Sequence, residues 1–297
     1  MRILTSLIAI TIALPTIALA HSPTTKKIRA VVILDDPQHA LQNIRYSLPP
    51  GPPFEEAESS PSSPPLNTDD PGTPGTNGVE VNFVTDCDSA KGSRSCQTGI
   101  DIAVGIGENL QVRVSKYAVE ERVSGEPTFR GTGVTNLGAK YRFYDKNGLQ
   151  IATYPNYQFD DGTRHLNEDG TPAETEGSAV YLPIIVSKEL GKWTVVSNVG
   201  YSMNLKSKDR NSVFTSVALG RSLSQTSRVM TEVTASTSKA GTTSDVRVGW
   251  VKVIFPNEES RFRTAFFVSA GKSLKSDDGL SHKTLRIGLS IALKPKQ

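Results

Sequence analysis

The sequence predicts an all-β protein, a single up-and-down antiparallel transmembrane β-barrel of about 12 strands with a disordered Pro-rich arm at its N-terminus. Three observations support this prediction. Apolar and polar residues alternate in twelve segments between residues 79 and 293, which is the period of strands with one apolar and one polar face. The connections between these segments alternate between long and short, as the loops and turns of outer-membrane barrels do. Aromatic residues lie near both kinds of connection, with Trp193 beside a short one and Tyr157 and Tyr201 beside long ones.

Composition and charge exclude several other classes. The chain has 297 residues, of which 37% are hydrophobic, and it lacks the several apolar runs of about 18 residues that a polytopic helical membrane protein needs. The net charge of +3 is small and no basic patch stands out, so we expect no nucleic-acid partner. Since strand periodicity alone does not separate the two, a secreted soluble β-protein is an alternative to the membrane barrel.

Residues 1–20 have the features of an export signal peptide. Arg2 gives a short positive start, an apolar run covers Ile3–Ile17, and Ala18–Ala20 forms an A-x-A cleavage site. We therefore expect the mature chain to begin at His21, outside the cytoplasm.

Residues 21–78 are predicted to form a periplasmic Pro-rich arm or linker. One apolar run, Ile28–Leu34, precedes the stretch Leu48–Gly78, which is rich in proline, serine, glycine and acidic residues. Such a composition buries too little apolar surface to fold alone and favours an extended chain. The composition therefore favours a disordered spacer. The alternative is a tether that binds a periplasmic partner.

Residues 79–297 are predicted to form the outer-membrane barrel. The last segment shows the alternation clearly, because Leu285, Ile287 and Leu289 are separated by polar or small residues. A soluble sandwich would bury this apolar side, whereas a membrane barrel turns it toward lipid.

The connection lengths favour the membrane barrel. Asp86–Thr98 and Asp160–Ser178 are long, and Gly107–Asn109 and Lys188–Lys192 are short. The corresponding location is the outer membrane of a Gram-negative-type bacterium, with the arm and the C-terminus in the periplasm. We expect a monomer that contacts membrane lipid and depends on the barrel assembly machinery for insertion.

The chain contains two cysteines, Cys87 and Cys96, which are nine residues apart in a polar stretch. In an oxidising compartment, an even number of cysteines across one loop predicts a disulfide. We therefore expect a structural disulfide in the first outer loop.

With the apolar side facing lipid, a set of mostly basic residues is predicted to line the pore. They are Arg113, Lys140, Arg142, Arg228, Glu232, Arg247, Arg263 and Arg286. In a narrow lumen, guanidinium groups favour anionic or carboxylate-bearing solutes. In the alternative interpretation, these residues pair with acidic groups such as Asp101 and with tyrosine hydroxyls, and they simply fill the barrel.

No catalytic or metal site is predicted, and we expect neither enzyme activity nor a cofactor. His165 and His282 lie in polar loops without the neighbouring nucleophile that hydrolysis would require. The acidic pairs Asp160–Asp161, Glu168–Asp169 and Asp277–Asp278 lack the ligand spacing of a calcium loop.

Several motifs resemble the MetA-like family of outer-membrane proteins, which is associated with the meta pathway of phenol degradation. The motifs are Gly131–Phe143, Asp145–Gly148, Ile151–Tyr157, Tyr181–Trp193, Ser197–Tyr201 and Ala218–Arg221. The resemblance extends over residues 79–293 and implies an outer-membrane barrel that transports small, often aromatic, compounds. We therefore expect a barrel that passes or binds small aromatic or anionic solutes. Two alternatives are a non-conducting surface barrel whose outer loops bind a partner and a secreted soluble β-protein.

Overall fold

A computed structural model describes residues 66–162, 177–254, 262–276 and 279–293. The predicted signal peptide and residues 21–65 of the predicted arm lie outside the described residues, as does His165 with most of its predicted loop. No helix within the described residues is long and apolar enough to cross a bilayer.

Fourteen β-strands, each antiparallel to its neighbours, form one sheet in the described part of the chain. The strands are β1 (Val79–Ala90), β2 (Ser93–Gly107), β3 (Leu110–Val123), β4 (Phe129–Thr132), β5 (Thr135–Lys146), β6 (Leu149–Thr153), β7 (Asn156–Phe159), β8 (Ala179–Leu190), β9 (Trp193–Asn204), β10 (Ser212–Ser224), β11 (Ser227–Ser238), β12 (Thr242–Val253), β13 (Phe262–Lys275) and β14 (Lys283–Leu293). A 3-10 turn, Lys208–Arg210, precedes β10.

The wall of the barrel consists of segments that run from one end to the other, which we call staves. Two of these staves are each made of two strands. β4 and β5 follow one another along β3, and β6 and β7 are separated by Tyr154 and Pro155. Pro155 has no backbone N–H to donate to a ladder, which explains the second interruption. β1 pairs with β14, beginning with Val79 opposite Leu293, and this pairing closes the ring. The barrel therefore has twelve staves, and the predicted antiparallel 12-stranded barrel is confirmed.

The side chains alternate between a polar interior and an apolar exterior. In β10 and β11, Ser216, Glu232 and Thr234 are buried in the interior, whereas Val217 and Val233 are exposed on the outside. A soluble barrel would have the opposite arrangement, because its apolar side chains would fill the core. The predicted apolar outer face is therefore present.

The two ends of the barrel differ. We call the end at which the chain enters β1 and leaves β14 the turn end, because four of its connections contain only two residues each: 108–109, 147–148, 191–192 and 225–226. Asn147 and Gly148 have φ of 54° and 69°, which is the conformation of a type I′ hairpin turn. The opposite end holds the long connections 160–178, 205–211 and 276–282, and we call it the loop end. The separation by length is incomplete, because β1 and β2 are joined there by only two residues, 91–92, and the turn end holds the longer connection 254–261.

At the loop end, two connections that the sequence predicted to be long are mostly strand. β1 and β2 remain paired through the predicted loop Asp86–Thr98, up to Ala90 opposite Ser93. β3 and β4 likewise pair through much of the predicted loop Glu120–Gly131. These extensions carry mainly polar residues, so their sequences lack the alternation by which strands are recognised.

Cys87 and Cys96 form a disulfide between β1 and β2. The two residues are direct partners in the ladder, with Cα atoms 4.1 Å apart. The predicted bond is therefore present, but it joins two paired strands rather than closing an open loop.

Replacing both cysteines, with Cys87→Ala and Cys96→Ala, is expected to lower the free energy of unfolding by about 2 kcal/mol, the low end for disulfides, because the chain between them is short. Urea-induced unfolding in lipid vesicles, followed by heat-modifiable gel migration, measures this change. The matched control is Thr85→Ala with Thr98→Ala, which removes a cross-strand contact of 3.0 Å between two hydroxyl oxygens of the same hairpin. An equal loss in both double variants would show that the disulfide adds nothing to the ladder.

Candidate functional site

All eight predicted pore-lining residues lie on the interior side of their strands. Five are within the barrel: Arg113, Lys140, Glu232, Arg247 and Arg286. Three are partly buried near the turn end: Arg142, Arg228 and Arg263. Arg247 is paired with Asp86 of β1. The other four of the first group contact a piece of chain that precedes the barrel in the sequence.

Residues 66–78, which we call the lumen segment, lie inside the barrel. Leu66, Thr68 and Pro71 are buried, and the segment contacts side chains that face the interior. The sequence placed this range in the predicted linker, so the structure differs from the expectation of a solvated chain there. A polar, proline-containing segment does not pack in an apolar core, but the charged walls of this lumen supply hydrogen-bond partners for it.

Asp69 of the lumen segment lies between two cations of the barrel wall. Its carboxylate is 2.9 Å from Lys140 Nζ and 3.6 Å from Arg113 Nη1. Lys140 is fully buried and also donates to the carbonyl oxygens of Asp70 at 2.7 Å and Gly72 at 3.4 Å. Arg113 is in addition paired with Asp101 of β2. The wall therefore holds this part of the segment with charge-assisted hydrogen bonds, which are stronger than neutral ones.

Glu232 of β11 binds the backbone of the same segment. Its carboxylate accepts hydrogen bonds from the backbone N–H groups of Asn67 and Thr68, both at 2.9 Å, and from the Thr68 hydroxyl at 2.8 Å. Arg286 of β14 donates to the Leu66 carbonyl at 2.6 Å and to the Asn67 side chain at 2.8 Å, while it pairs with Asp86 of β1. The N–H and hydroxyl donors of the segment are thus bound by the Glu232 carboxylate, and its oxygen acceptors are bound by the Arg286 guanidinium.

An apolar pocket inside the lumen receives Leu66. Its other members are small or branched side chains that face inward from β6 and from β8 to β11: Ala152, Ile185, Val196, Ala218 and Met230. The alternation in the sequence does not predict this pocket, because it places the apolar side of these strands toward lipid. The available signal was an apolar residue at an interior position, as Ile185 is between Ile184 and Val186.

Tyr154 lies next to both the cations and the apolar pocket. Its ring centroid is 5.6 Å from the Arg113 guanidinium carbon and 5.7 Å from Lys140 Nζ, which is within the range of a cation–π contact. Gly138 leaves room for the ring, since a Cβ at that position would be 2.6 Å from Tyr154 Cε2. The aromatic ring therefore stabilises the two charges that hold Asp69.

At the turn end, the lumen segment is held by the connection between β2 and β3. The hydroxyl groups of Thr73 and Thr76 donate to the backbone carbonyl and the carboxylate of Glu108, both at 2.7 Å. Gly105 exchanges backbone hydrogen bonds with Asn77 and Gly78, at 3.0 and 2.8 Å. A Cβ at Gly105 would lie 1.7 Å from the Gly75 carbonyl oxygen, so only glycine permits this approach.

Asp161 anchors the beginning of the connection between β7 and β8 at the loop end. Its carboxylate accepts hydrogen bonds from the Thr135 hydroxyl at 2.5 Å, from the Thr135 backbone N–H at 2.8 Å and from Lys116 at 3.1 Å. These hydrogen bonds lower the pKa of Asp161 to about 2, and the bond from the Thr135 hydroxyl has the largest effect. The carboxylate is therefore charged throughout the physiological pH range.

His282 also lies at the loop end, where its Nδ1 is 2.7 Å from Asp88 Oδ1. In the described part of the chain, no group of three His, Cys, Asp or Glu side chains is arranged to hold a metal ion. Asp277 and Asp278 lie outside the described residues.

A closed 12-stave barrel with an apolar outside and a charged lumen is the architecture of outer-membrane β-barrel channels. No family model matches the sequence. No curated protein matches it either.

Solved structures share the fold. The COG4313 outer membrane channel from Pseudomonas putida F1 superposes with a TM-score of 0.55 at 12% identity, over 78% of this chain and 98% of that chain. The NanC porin superposes with a TM-score of 0.51 at 10% identity, over 72% of this chain and 100% of that chain. At these identities the likeness concerns the fold, which is that of outer-membrane channels and porins. Neither name describes an enzyme.

Proposed function

We propose that this protein is an outer-membrane channel of the MetA-like type that passes or binds small solutes, and that the lumen segment closes it at rest. The observation that carries the proposal is a charged lumen inside an apolar cylinder, with a segment of the same chain bound in it through Asp69 and Glu232. Apolar side chains such as Val217 and Val248, exposed on the outer face, suit contact with lipid.

The proposed orientation puts the turn end in the periplasm. Short turns are periplasmic in bacterial outer-membrane barrels, and the longer loops face outward. Because the barrel begins and ends at the turn end, the arm and the C-terminus would then both be periplasmic.

The proposed pore prefers anions. Seven of the eight candidate pore-lining residues are basic, and Arg142, Arg228 and Arg263 lie close to the turn end, where a solute would leave the lumen. Asp86 and Asp101 offset part of this charge, since they pair with Arg286 and Arg113. Arg142 is likewise offset by Asp145, whose carboxylate is 3.3 Å from Arg142 Nη1. The selectivity of the proposed pore would therefore come from the excess of basic residues over these carboxylates.

The occupied lumen also supports a second candidate, a non-conducting surface barrel whose outer loops bind a partner. In that case the lumen segment would be a permanent filling of the barrel, as interior side chains are in small barrels. The two candidates differ in what happens when the contacts of the segment are weakened.

Planar-bilayer recordings of the purified full-length chain distinguish them. We expect a low average current with discrete openings, and in a salt gradient a reversal potential that shows preference for anions. The absence of any current, both for the natural chain and for a chain with a weakened segment, would overturn the channel and favour the surface barrel. Heat-modifiable migration together with recovery in the outer-membrane fraction tests the location, and recovery in a detergent-free supernatant would contradict it.

A further inference from the structure

Among the charged residues that face the lumen, Lys140 and Glu232 differ from Arg113 and Arg286 in the partners of their side chains. Arg113 and Arg286 are paired with wall carboxylates, Asp101 and Asp86. By contrast, every hydrogen bond that the Lys140 ammonium and the Glu232 carboxylate make within the described residues goes to the lumen segment. The hydrogen bonds of these two side chains are thus made only when the lumen holds the segment or a ligand with the same donors and acceptors.

Lys140 and Glu232 lie on nearly opposite sides of the lumen. Lys140 is on the fourth stave and Glu232 on the ninth in a ring of twelve. The segment connects them through adjacent residues, because Thr68 donates to Glu232 and Asp69 accepts from Lys140. Because the Lys140 ammonium and the Glu232 carboxylate find their hydrogen-bond partners in the occupant of the lumen, these two positions specify a ligand rather than a filled wall.

We infer that this part of the lumen is a binding site for short acidic peptides, and that the lumen segment is its built-in competitor. The required ligand has a carboxylate for Lys140 and Arg113 and, one residue away, amide N–H and hydroxyl donors for Glu232. A neutral aromatic compound offers neither group. This inference depends on the proposed function only in that the ligand must be able to enter the lumen.

Because the ligand and the lumen segment compete for the same site, ligand binding can be measured as an increase in the undocked state of the segment. A ligand that binds only after the segment has left stabilises the undocked state by mass action, so its population rises by the factor 1 + [L]/Kd. At a ligand concentration of about ten times Kd, the segment is therefore undocked about ten times more often.

The experiment uses a thiol at Pro71, which is buried in the lumen and donates no hydrogen bond. The chain has two cysteines and both are in the disulfide, so Pro71→Cys supplies a single free thiol in the full-length protein. A maleimide with a polyethylene glycol chain wider than the lumen labels this thiol only when the segment is outside. We expect acetyl-Asn-Thr-Asp-amide, the sequence of residues 67–69, to increase the labelling rate about tenfold at about ten times its Kd. The neutral acetyl-Asn-Thr-Asn-amide, of the same size, should leave the rate unchanged.

Substitutions in the wall test the assignment. Lys140→Gln in the same background should abolish the difference between the two peptides, whereas Lys239→Gln, at an exposed ion pair with Asp209, should preserve it. Heat-modifiable migration verifies that each variant is folded. Free aspartate in place of the peptide separates recognition of a carboxylate alone from recognition of the peptide; equal acceleration by both would overturn the peptide assignment.

Other outcomes would also contradict the inference. If Asp69→Asn accelerates labelling but neither peptide does, the segment undocks and the site takes no acidic peptide. If labelling never occurs, the segment is a permanent part of the barrel and competes with nothing. A peptide effect in a protein that carries no current would support the binding site while it overturns the channel, so the two proposals fail separately.

Discussion

Asp69→Asn is expected to raise the time-averaged current through the protein in planar bilayers by about a hundredfold. The substitution keeps the size of the side chain and removes the charge that pairs with the fully buried Lys140 ammonium. Breaking one side of a buried ion pair costs about 3–5 kcal/mol, and about 3 kcal/mol changes a population about a hundredfold. Since water reaches Lys140 when the segment leaves, this cost falls on the docked state alone.

The matched control for this substitution is Asp209→Asn. Asp209 also pairs with a lysine at 2.9 Å, but both side chains of the pair are exposed near the loop end, where ion pairs contribute little. The control should leave the current unchanged. A current equal to that of the natural chain in Asp69→Asn would show that the segment does not close the lumen.

Val217→Arg is expected to lower the free energy of unfolding in a lipid bilayer by about 2–4 kcal/mol. Val217 is exposed on the outer face near the middle of β10, opposite Val233 of β11. An arginine there would place its charge near the bilayer midplane, where the cost is largest. Urea titration in lipid vesicles measures the change.

The control for Val217→Arg is the same substitution at a different depth in the bilayer. Val213→Arg introduces the same charge on the same face of β10, near the loop end, where the cost falls to about 0–1 kcal/mol. Equal losses at Val213 and Val217, or no loss at either, would contradict a membrane-spanning outer face.

The strands were predictable where one face meets lipid and the other meets the lumen. β14 shows this best, since Leu285 and Ile287 are exposed on the outside and Thr284 and Ser290 are buried inside. The alternation ends where strands continue beyond the apolar band, because both faces are polar there. This is why the ladder from Asp86 to Ala90 was predicted as a loop.

The interior charges were predictable from the same alternation, but their partners were not. Parity along a strand places Lys140 and Glu232 inside, and it says nothing about which groups they contact. The partners come from the lumen segment, whose composition resembles that of a solvated linker. Asp69 and Asp70 were the one available signal, since they bring negative charge to a predicted lumen that is mostly basic.

The seam between β1 and β14 determines the order in which the barrel is expected to assemble. These strands are far apart in the sequence, so their pairing closes the largest loop and, on entropic grounds, forms last. The lumen segment is joined directly to Val79, the first residue of β1, at this seam. While the seam is open the wall is only a curved sheet, and the segment can settle against Lys140 and Glu232 from the side. The chain can therefore fold around its own occupant, without threading it through a finished ring.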